Sequence, residues 1–571
     1  MPKLLKTGFT LKTYIALAII ACSFFAITTP AIAEDIAHAQ KSSIGVAEYT
    51  DDKRSEAEKR ILLNGDSDST TDHADLKELQ GPFANGREVT KACLSCHNKA
   101  GEQFMHSIHW KWEQKDPATG KAIGKKNLIN NFCTNARGNE GMCAMCHASY
   151  GHEDHTFDYS NQENIDCVVC HDRTGTYYRL PPTEGNESCA VMFEGKPAID
   201  LVKVAQNVGM PTRANCGSCH FKGGGGDNVK HGDLSTALIE PKESVDVHMA
   251  ADGLNFSCTE CHVTEKHIVS GSRYQMMASD PEGMGKPGQR RNAASCESCH
   301  GGSPHEISSL KGIKLNGHTD KVACVTCHIP EFARGGVATM TNWDWREAGK
   351  TKNGEGFYLK GYTQGNGHHR KTYKSIKGEF KFGEDLKPHY AWFNGQMKYT
   401  TIDTKFDPNK PVEINSFQGS FDDPKSRIWP FKRMETFQPF DKVNNTLVYM
   451  HLWGDDDSSY WGNYDFQKAI TWGMNEFNLP YSGKYGFVQT YSYWPITHMV
   501  TPKTDALACG ECHAKEGRLD ELKGFYMPGR DSFKWLDIIG YLLVLGALAI
   551  VVLHTILRMV MCAKGNSDKE C

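Results

Sequence analysis

The sequence predicts a fold of mainly short α-helices and long loops with very little β-structure, closed by one C-terminal transmembrane helix. Three observations predict it. Cys-x-x-Cys-His occurs eight times, beginning at Cys93, Cys143, Cys167, Cys216, Cys258, Cys296, Cys324 and Cys509. Seven of the eight fall between residues 93 and 328, too little chain to bury an ordinary side-chain core at each motif. An apolar run over residues 536–561, with Asp537 near one end, Arg558 near the other and only His554 between, is long enough to cross a bilayer. The 54 glycines fit loop-rich wrapping.

Each motif is the attachment site of a c-type haem. Two thiols on one helical turn reach the two vinyl groups on one edge of a porphyrin, and the histidine that follows lies under the iron. Zinc sites also use Cys-x-x-Cys pairs, but zinc does not require a histidine after every pair. The attachment thiols are then Cys93 and Cys96, Cys143 and Cys146, Cys167 and Cys170, Cys216 and Cys219, Cys258 and Cys261, Cys296 and Cys299, Cys324 and Cys327, and Cys509 and Cys512. The proximal ligands are His97, His147, His171, His220, His262, His300, His328 and His513. The fold class is a multihaem cytochrome c in which eight covalently bound, closely packed haems c stand in for the side-chain core.

Taken in order, residues 1–33 form an export signal: Lys3, Lys6 and Lys12 precede an apolar stretch, and Ala31-Ile32-Ala33 is a small-x-small cleavage site. Cys22 also closes a lipoprotein-like box, but the apolar stretch runs past it. Residues 34–86 are polar and read as a linker or loose wrap. Residues 87–330 carry seven motifs, and residues 331–530 are rich in aromatics and carry the eighth. The bland reading of those aromatics is a shell against porphyrin faces; a substrate channel is the other. Residues 531–562 hold the transmembrane helix and 563–571 a tail. Haem c is attached outside the bacterial cytoplasm, so the expected placement is the periplasmic side of the inner membrane, single-pass, with the C-terminus in the cytoplasm. The net charge of −4 says little, and nothing points to nucleic acid.

Electron-transfer haems take a second strong ligand, usually histidine. The mature chain offers 16 further histidines outside the membrane span. Proximity to motifs selects His109, His231, His248, His267, His305, His318 and His498 as distal ligands, with His106, His152, His155, His368, His369, His389 and His451 as alternates.

Several stretches resemble octahaem tetrathionate reductase: residues 93–112 (CLSCHNKAGEQFMHSIHWKW), 126–133 (KNLINNFC), the third motif with Thr174-Gly175-Thr176-Tyr177, residues 220–234 (HFKGGGGDNVKHGDL), Leu315-Asn316-Gly317-His318, residues 323–330 and residues 495–502. The resemblance covers most of residues 87–515. It implies seven bis-histidine haems and one catalytic haem with a lysine on its distal side, here the haem of Cys143, Cys146 and His147. Lys230 is the position carried over as that ligand, with Lys222 its nearest rival. Asp227 is placed to orient the amine or carry protons. A cysteine near the catalytic haem corresponds to Cys133; a disulfide to Cys189 is the structural alternative in an oxidising compartment. Hydroxylamine oxidoreductases need a tyrosine cross-linked to haem, which sequence does not show. Octahaem nitrite reductases carry a motif ending in lysine, whereas all eight here end in histidine.

The resemblance implies reduction of tetrathionate, or of nitrite or hydroxylamine, with electrons from quinol or another membrane or periplasmic donor. The competing reading is a non-catalytic conduit between the quinone pool and a periplasmic partner.

Overall fold

The computed structural model describes residues 71–116, 119–179, 199–273, 276–278, 280, 294–454 and 456–564. The signal segment, Cys22, Cys189 and Cys571 lie outside the described residues.

The haem-motif region is built as expected, from single helical turns joined by loops. Helices Cys258–Cys261, Glu297–His300 and Cys509–Cys512 have four residues each. Longer helices appear only where a cap and an apolar face support them. Gly86–Cys96 starts at Asn85, whose side chain accepts from the Glu88 amide at 3.1 Å, while Glu88 reaches back to the Ala84 amide at 2.7 Å. Arg213–His220 opens with a capping box between Thr212 and Asn215. Residues 71–86, expected to be a loose wrap, are packed: Leu79 is buried against Val89, Leu201 and Val204.

The expectation of very little β-structure is wrong. The aromatic-rich region folds into a nine-stranded mixed sheet. Its strands are β1 (Thr339–Asp344), β2 (Tyr358–Leu359), β3 (Tyr373–Lys374), β4 (Gly378–Gly383), β5 (His389–Phe393), β6 (Val412–Glu413), β7 (Arg427–Asp441), β8 (Thr446–Leu447) and β9 (Tyr485–Pro495). The order is β6–β9–β7–β1–β4–β3–β2, with β5 and β8 also paired to β7. β7 runs antiparallel to β9 and parallel to β1.

The physical reason lies in the absence of haem motifs from this region. A stretch without porphyrins has to build a side-chain core, and its Trp, Tyr, Phe and Thr content favours the pleated surface of a sheet. β7 contains Pro430 and Pro439, which lack an amide donor; both are accommodated, at Tyr390↔Pro430 and Pro439↔Phe487.

Two apolar clusters flank the sheet. Trp343, Trp345, Met434 and Phe440 pack on helix Phe466–Glu476 through Phe466, Ile470 and Met474. Phe393, Trp429, Phe431 and Tyr493 pack on Val325, Ile329 and Phe332 of the seventh motif and the chain just after it. β7 thus carries structure on both faces. It also bonds the seventh motif directly: Ile428 O accepts from the Ala323 amide at 3.0 Å and from Thr326 Oγ1 at 2.7 Å.

Helix Lys534–Lys564 has 31 residues and is strongly apolar, and none of its hydrophobic window is buried in the protein. At about 1.5 Å per residue it exceeds the ~30 Å hydrocarbon core of a bilayer.

Candidate functional site

A single turn fixes most of the motif geometry. The histidine amide returns to the first cysteine carbonyl at 2.8 Å for His97–Cys93 and 2.9 Å for His262–Cys258, His300–Cys296 and His513–Cys509. Several rings then lean on a backbone carbonyl through Nδ1: His171 on Gly209 at 2.9 Å, His262 on Ser270 at 2.8 Å and His513 on Pro528 at 2.8 Å. Such a bond sets the tautomer and leaves Nε2 free to coordinate.

The fold brings six motif histidines opposite a second histidine. Ring centres are 6.3 Å apart for His73–His97, His262–His498 and His305–His328, and 6.1 Å for His109–His220, His248–His300 and His318–His513. Two imidazoles sharing one iron, each with a metal–nitrogen bond of about 2 Å, have ring centres about 6 Å apart. The residues therefore fit axially ligated haem. They fit zinc poorly: among the described residues no three His, Cys, Asp or Glu converge as a metal cluster.

Five members of the expected distal set, His109, His248, His305, His318 and His498, stand in these pairs. Burial, then the nearby His171 and His97, disfavour protonation of His267. His231 instead meets Trp494 edge-on at 5.0 Å. His73 was missed. It belongs to a stretch read as linker, 24 positions before His97, and nothing in its surroundings resembles a ligand segment.

Carboxylates position these rings. Asp246 Oδ1 accepts from the His248 and Met249 amides at 2.9 and 3.0 Å, and its Oδ2 from Met499 and Val500 at 3.0 and 3.1 Å. One buried carboxylate thereby joins the His248 and His498 segments. Asp233 Oδ2 accepts from the amides of Thr497 and His498 and from His498 Nδ1 at 3.1 Å.

The second motif departs from the rest. His147 follows a 3-10 turn, Ala144–Cys146, and its amide bonds Ala144 rather than Cys143. Its fully buried ring is held among Trp110, Trp112 and His152 at 5.5, 5.2 and 4.8 Å. Both ring nitrogens are taken by protein: Nε2 by the Trp110 carbonyl, Nδ1 by Ser149 Oγ at 2.7 Å and His152 Nδ1 at 3.0 Å. Arg179 clamps the backbone around it through the carbonyls of Met145, His147 and Ser149.

Lys230 lies near the second-motif thiols. Burial, then the charges of Lys125 and Arg273, push its amine well below the usual lysine range, while Cys146 and Cys143 pull the other way. The amine sits 4.9 Å over the Trp494 ring. Its rival Lys222 is exposed. The Gly-rich loop lets the chain pass closely. Gly224 has φ +78°, and a Cβ there would stand 3.0 Å from the Phe132 ring.

Lys432 on β7, which the sequence did not single out, holds this segment. Its buried amine donates to the carbonyls of Val229 at 2.8 Å and Lys230 at 3.1 Å and to Thr339 Oγ1 at 2.6 Å. Asp227 is not directed at the Lys230 amine. Its carboxylate accepts from the Thr236 amide at 3.0 Å and from the Thr236 hydroxyl, so it closes a loop.

Cys133 is a free, half-buried thiol with φ +60°. The loop bearing it is pinned to the sheet by Asn131 Nδ2 to Met434 O at 3.3 Å and Gln438 Nε2 to Asn130 O at 2.5 Å. Its charge would be felt by Cys143, Lys125 and Lys374. Burial, with help from Lys377 and Lys371, lowers Lys374 to about 8. Lys125 and Lys374 thus make a cationic surround for the thiol and the second motif.

Thiols of different motifs also neighbour one another. Cys93 meets Cys167, Cys146 meets Cys219, Cys216 meets Cys258 and Cys296 meets Cys324. At longer range Cys170 acts on Cys216, Cys299 on Cys261 and Cys512 on Cys327. The motifs form one file, first, third, fourth, fifth, sixth, seventh and eighth, with the second branching from the fourth.

Comparison with known proteins agrees with this array. A family model described as "Cytochrome c bacterial" matches residues 340–516, and one described as "Cytochrome c554 and c-prime" matches residues 92–172. The fold is similar to the crystal structure of octaheme cytochrome c from Shewanella oneidensis: 40% identity, TM-score 0.67, covering 78% of this chain and 95% of that one. An uncharacterized protein of Archaeoglobus fulgidus is 25% identical over 258 residues, 37% of this chain and 84% of its own length.

Lys432→Met keeps the length of the side chain but removes its donors. Each buried carbonyl left unmet costs about 1–3 kcal/mol. The variant is expected to melt at a lower temperature and to free the Lys230 segment, seen as faster amide exchange over residues 229–232.

Proposed function

From the premise that this chain belongs to the octahaem cytochrome c family and does redox chemistry with covalently bound haem c, we propose that it is a membrane-anchored periplasmic oxidoreductase. It carries eight haems, one per motif, and reduces a small inorganic substrate at the second motif. Tetrathionate is the leading substrate, with nitrite and hydroxylamine the alternatives. The observation that carries this reading is the Lys230 amine, which lies near the second motif's thiols and is pushed toward its neutral form by burial.

The haem at this motif, when bound, supplies the iron and the electrons. The rest is work for the chain. A neutral Lys230 amine has the lone pair that an iron ligand needs. His147 would hold a haem here from the proximal side and Lys230 from the distal side, where an incoming substrate would displace the amine. Lys125 and Lys374 attract an anion. Cys133 has a thiol for exchange with a sulfur–sulfur bond, in which the thiolate attacks one inner sulfur of tetrathionate and thiosulfate leaves. The paired histidines at the other motifs close those irons, which suits electron transfer rather than catalysis.

The conduit reading is favoured by one observation, the unbroken file of motifs from first to eighth. Electron paramagnetic resonance with titration by tetrathionate, nitrite and hydroxylamine separates the two readings. A pure conduit shows only six-coordinate haems that none of the three perturbs.

Lys230→Ala is expected to turn one haem high-spin, leave the other seven spectra intact and change turnover. An unaltered spectrum with unaltered rates of tetrathionate and hydroxylamine reduction would falsify the assignment.

Lys374 carries its charge below about pH 8 and loses it above. The apparent affinity for an anionic substrate should therefore fall as pH rises through that value. Lys374→Gln should remove this step from the KM profile while leaving uncharged hydroxylamine unaffected.

A further inference from the structure

The chain between the eighth motif and the membrane helix encloses a cleft of about 630 Å³, within the range of small-molecule sites. Its walls include Phe525, Tyr526 and Phe533 together with Asp520, Arg530 and Asp531. Tyr526 and Phe533 stack at 5.4 Å, and Phe525 stacks on Phe421 at 5.5 Å. Arg530 makes the wall rigid. It donates to the carbonyls of Leu519 at 3.1 Å, Leu522, and Phe525 at 2.7 Å, and pairs with Asp531 at 2.7 Å.

Two connections give this cleft its meaning. On one side it touches the eighth motif. His513 Nδ1 bonds the carbonyl of Pro528, in the loop that forms the cleft. Gly529, with φ +86°, brings that loop so close that a Cβ would strike the His513 backbone. On the other side, Phe533 leads directly into helix Lys534–Lys564. Tyr526, Phe533, Trp535 and Tyr541 are all more than half exposed, the aromatic girdle expected at a bilayer surface.

We infer that this cleft binds a lipophilic hydroquinone and oxidises it. The inference rests on the reading above that the chain is anchored by its C-terminal helix, which makes the eighth motif, next to that helix, the entry point for electrons. The aromatic walls receive the ring. Each hydroquinone that becomes quinone releases two electrons and two protons. The electrons pass to the haem c carried by Cys509 and Cys512, and from there along the file of motifs. The protons pass to Asp520, exposed in the cleft, and on to periplasmic water. Arg530 and Asp531 already satisfy one another, and Lys515 and Lys523 are set against Asp520, so the lining is only slightly positive; its aromatic walls are what favour a ring over a phosphate headgroup.

The test uses detergent-solubilised holoprotein and the quinol analogue 2-heptyl-4-hydroxyquinoline N-oxide, whose fluorescence is quenched on binding. One analogue is expected to bind per chain, and Tyr526→Ala and Asp520→Asn are expected to weaken binding or hydroquinone-driven haem reduction about tenfold. Haem reduction and substrate turnover driven by reduced methyl viologen, which needs no quinol site, should be unchanged in both variants. Absence of stoichiometric quenching, or variants that accept electrons from hydroquinone at the parental rate, overturns the inference while viologen-driven turnover leaves the proposed activity standing. Retention of phosphatidylglycerol with no binding of the analogue overturns it in favour of a headgroup seat. Loss of viologen-driven turnover in the parent protein counts against the proposed activity instead, and analogue binding still decides the cleft.

Discussion

Turns of four or five residues cannot hold themselves in place, and the rest of this structure depends on how each haem-bearing turn is clamped from elsewhere in the chain. A motif turn closes one or two backbone hydrogen bonds, far from enough to offset the cost of ordering it. The clamps are therefore non-local. Asp246 binds four amides from two segments about 250 positions apart, and Asp233 fixes His498 from a comparable distance. Buried carboxylates that collect several N–H donors are well suited to this, since such charge-assisted bonds are among the stronger ones.

β7 is the largest clamp. It bonds the seventh motif through Ile428, the Cys133 loop through Met434 and Gln438, and the Lys230 segment through Lys432. One strand thereby registers the seventh motif, the free thiol and the lysine against each other. A loop built around porphyrins alone would leave each of these free to shift with its own cofactor. The sheet gives the candidate catalytic groups a common rigid reference, which a site needing sub-ångström placement requires.

The second motif shows how the same chemistry is turned to a different use. Its Cys-x-x-Cys-His is identical in pattern to the other seven. What differs is its surroundings: Arg179 on the backbone carbonyls, Trp110 on Nε2, and aromatic rings packed around the imidazole. The nearby lysines then have two tasks at once, one amine pushed toward neutrality by burial and the others left as cations around the thiol.

The motif positions and attachment chemistry were legible in the sequence because they are local: thiols and histidine lie within five residues, and covalent spacing decides them. The apolar C-terminal run was legible for the same reason, since length and composition suffice. Lys230 and Cys133 came from resemblance, and their neighbourhood came from the fold. The axial pairs were only partly legible. His318 and His305 follow or precede motifs closely, but His73 pairs with His97 from a stretch with no ligand-like pattern, and His231 sits beside Lys230 yet meets Trp494. The sheet was missed because aromatic content suits both a porphyrin shell and a pleated surface. Register, axial pairing and the packing around His147 are set by contacts between residues far apart in the chain. A linear pattern does not encode such contacts, and only tertiary packing decided them.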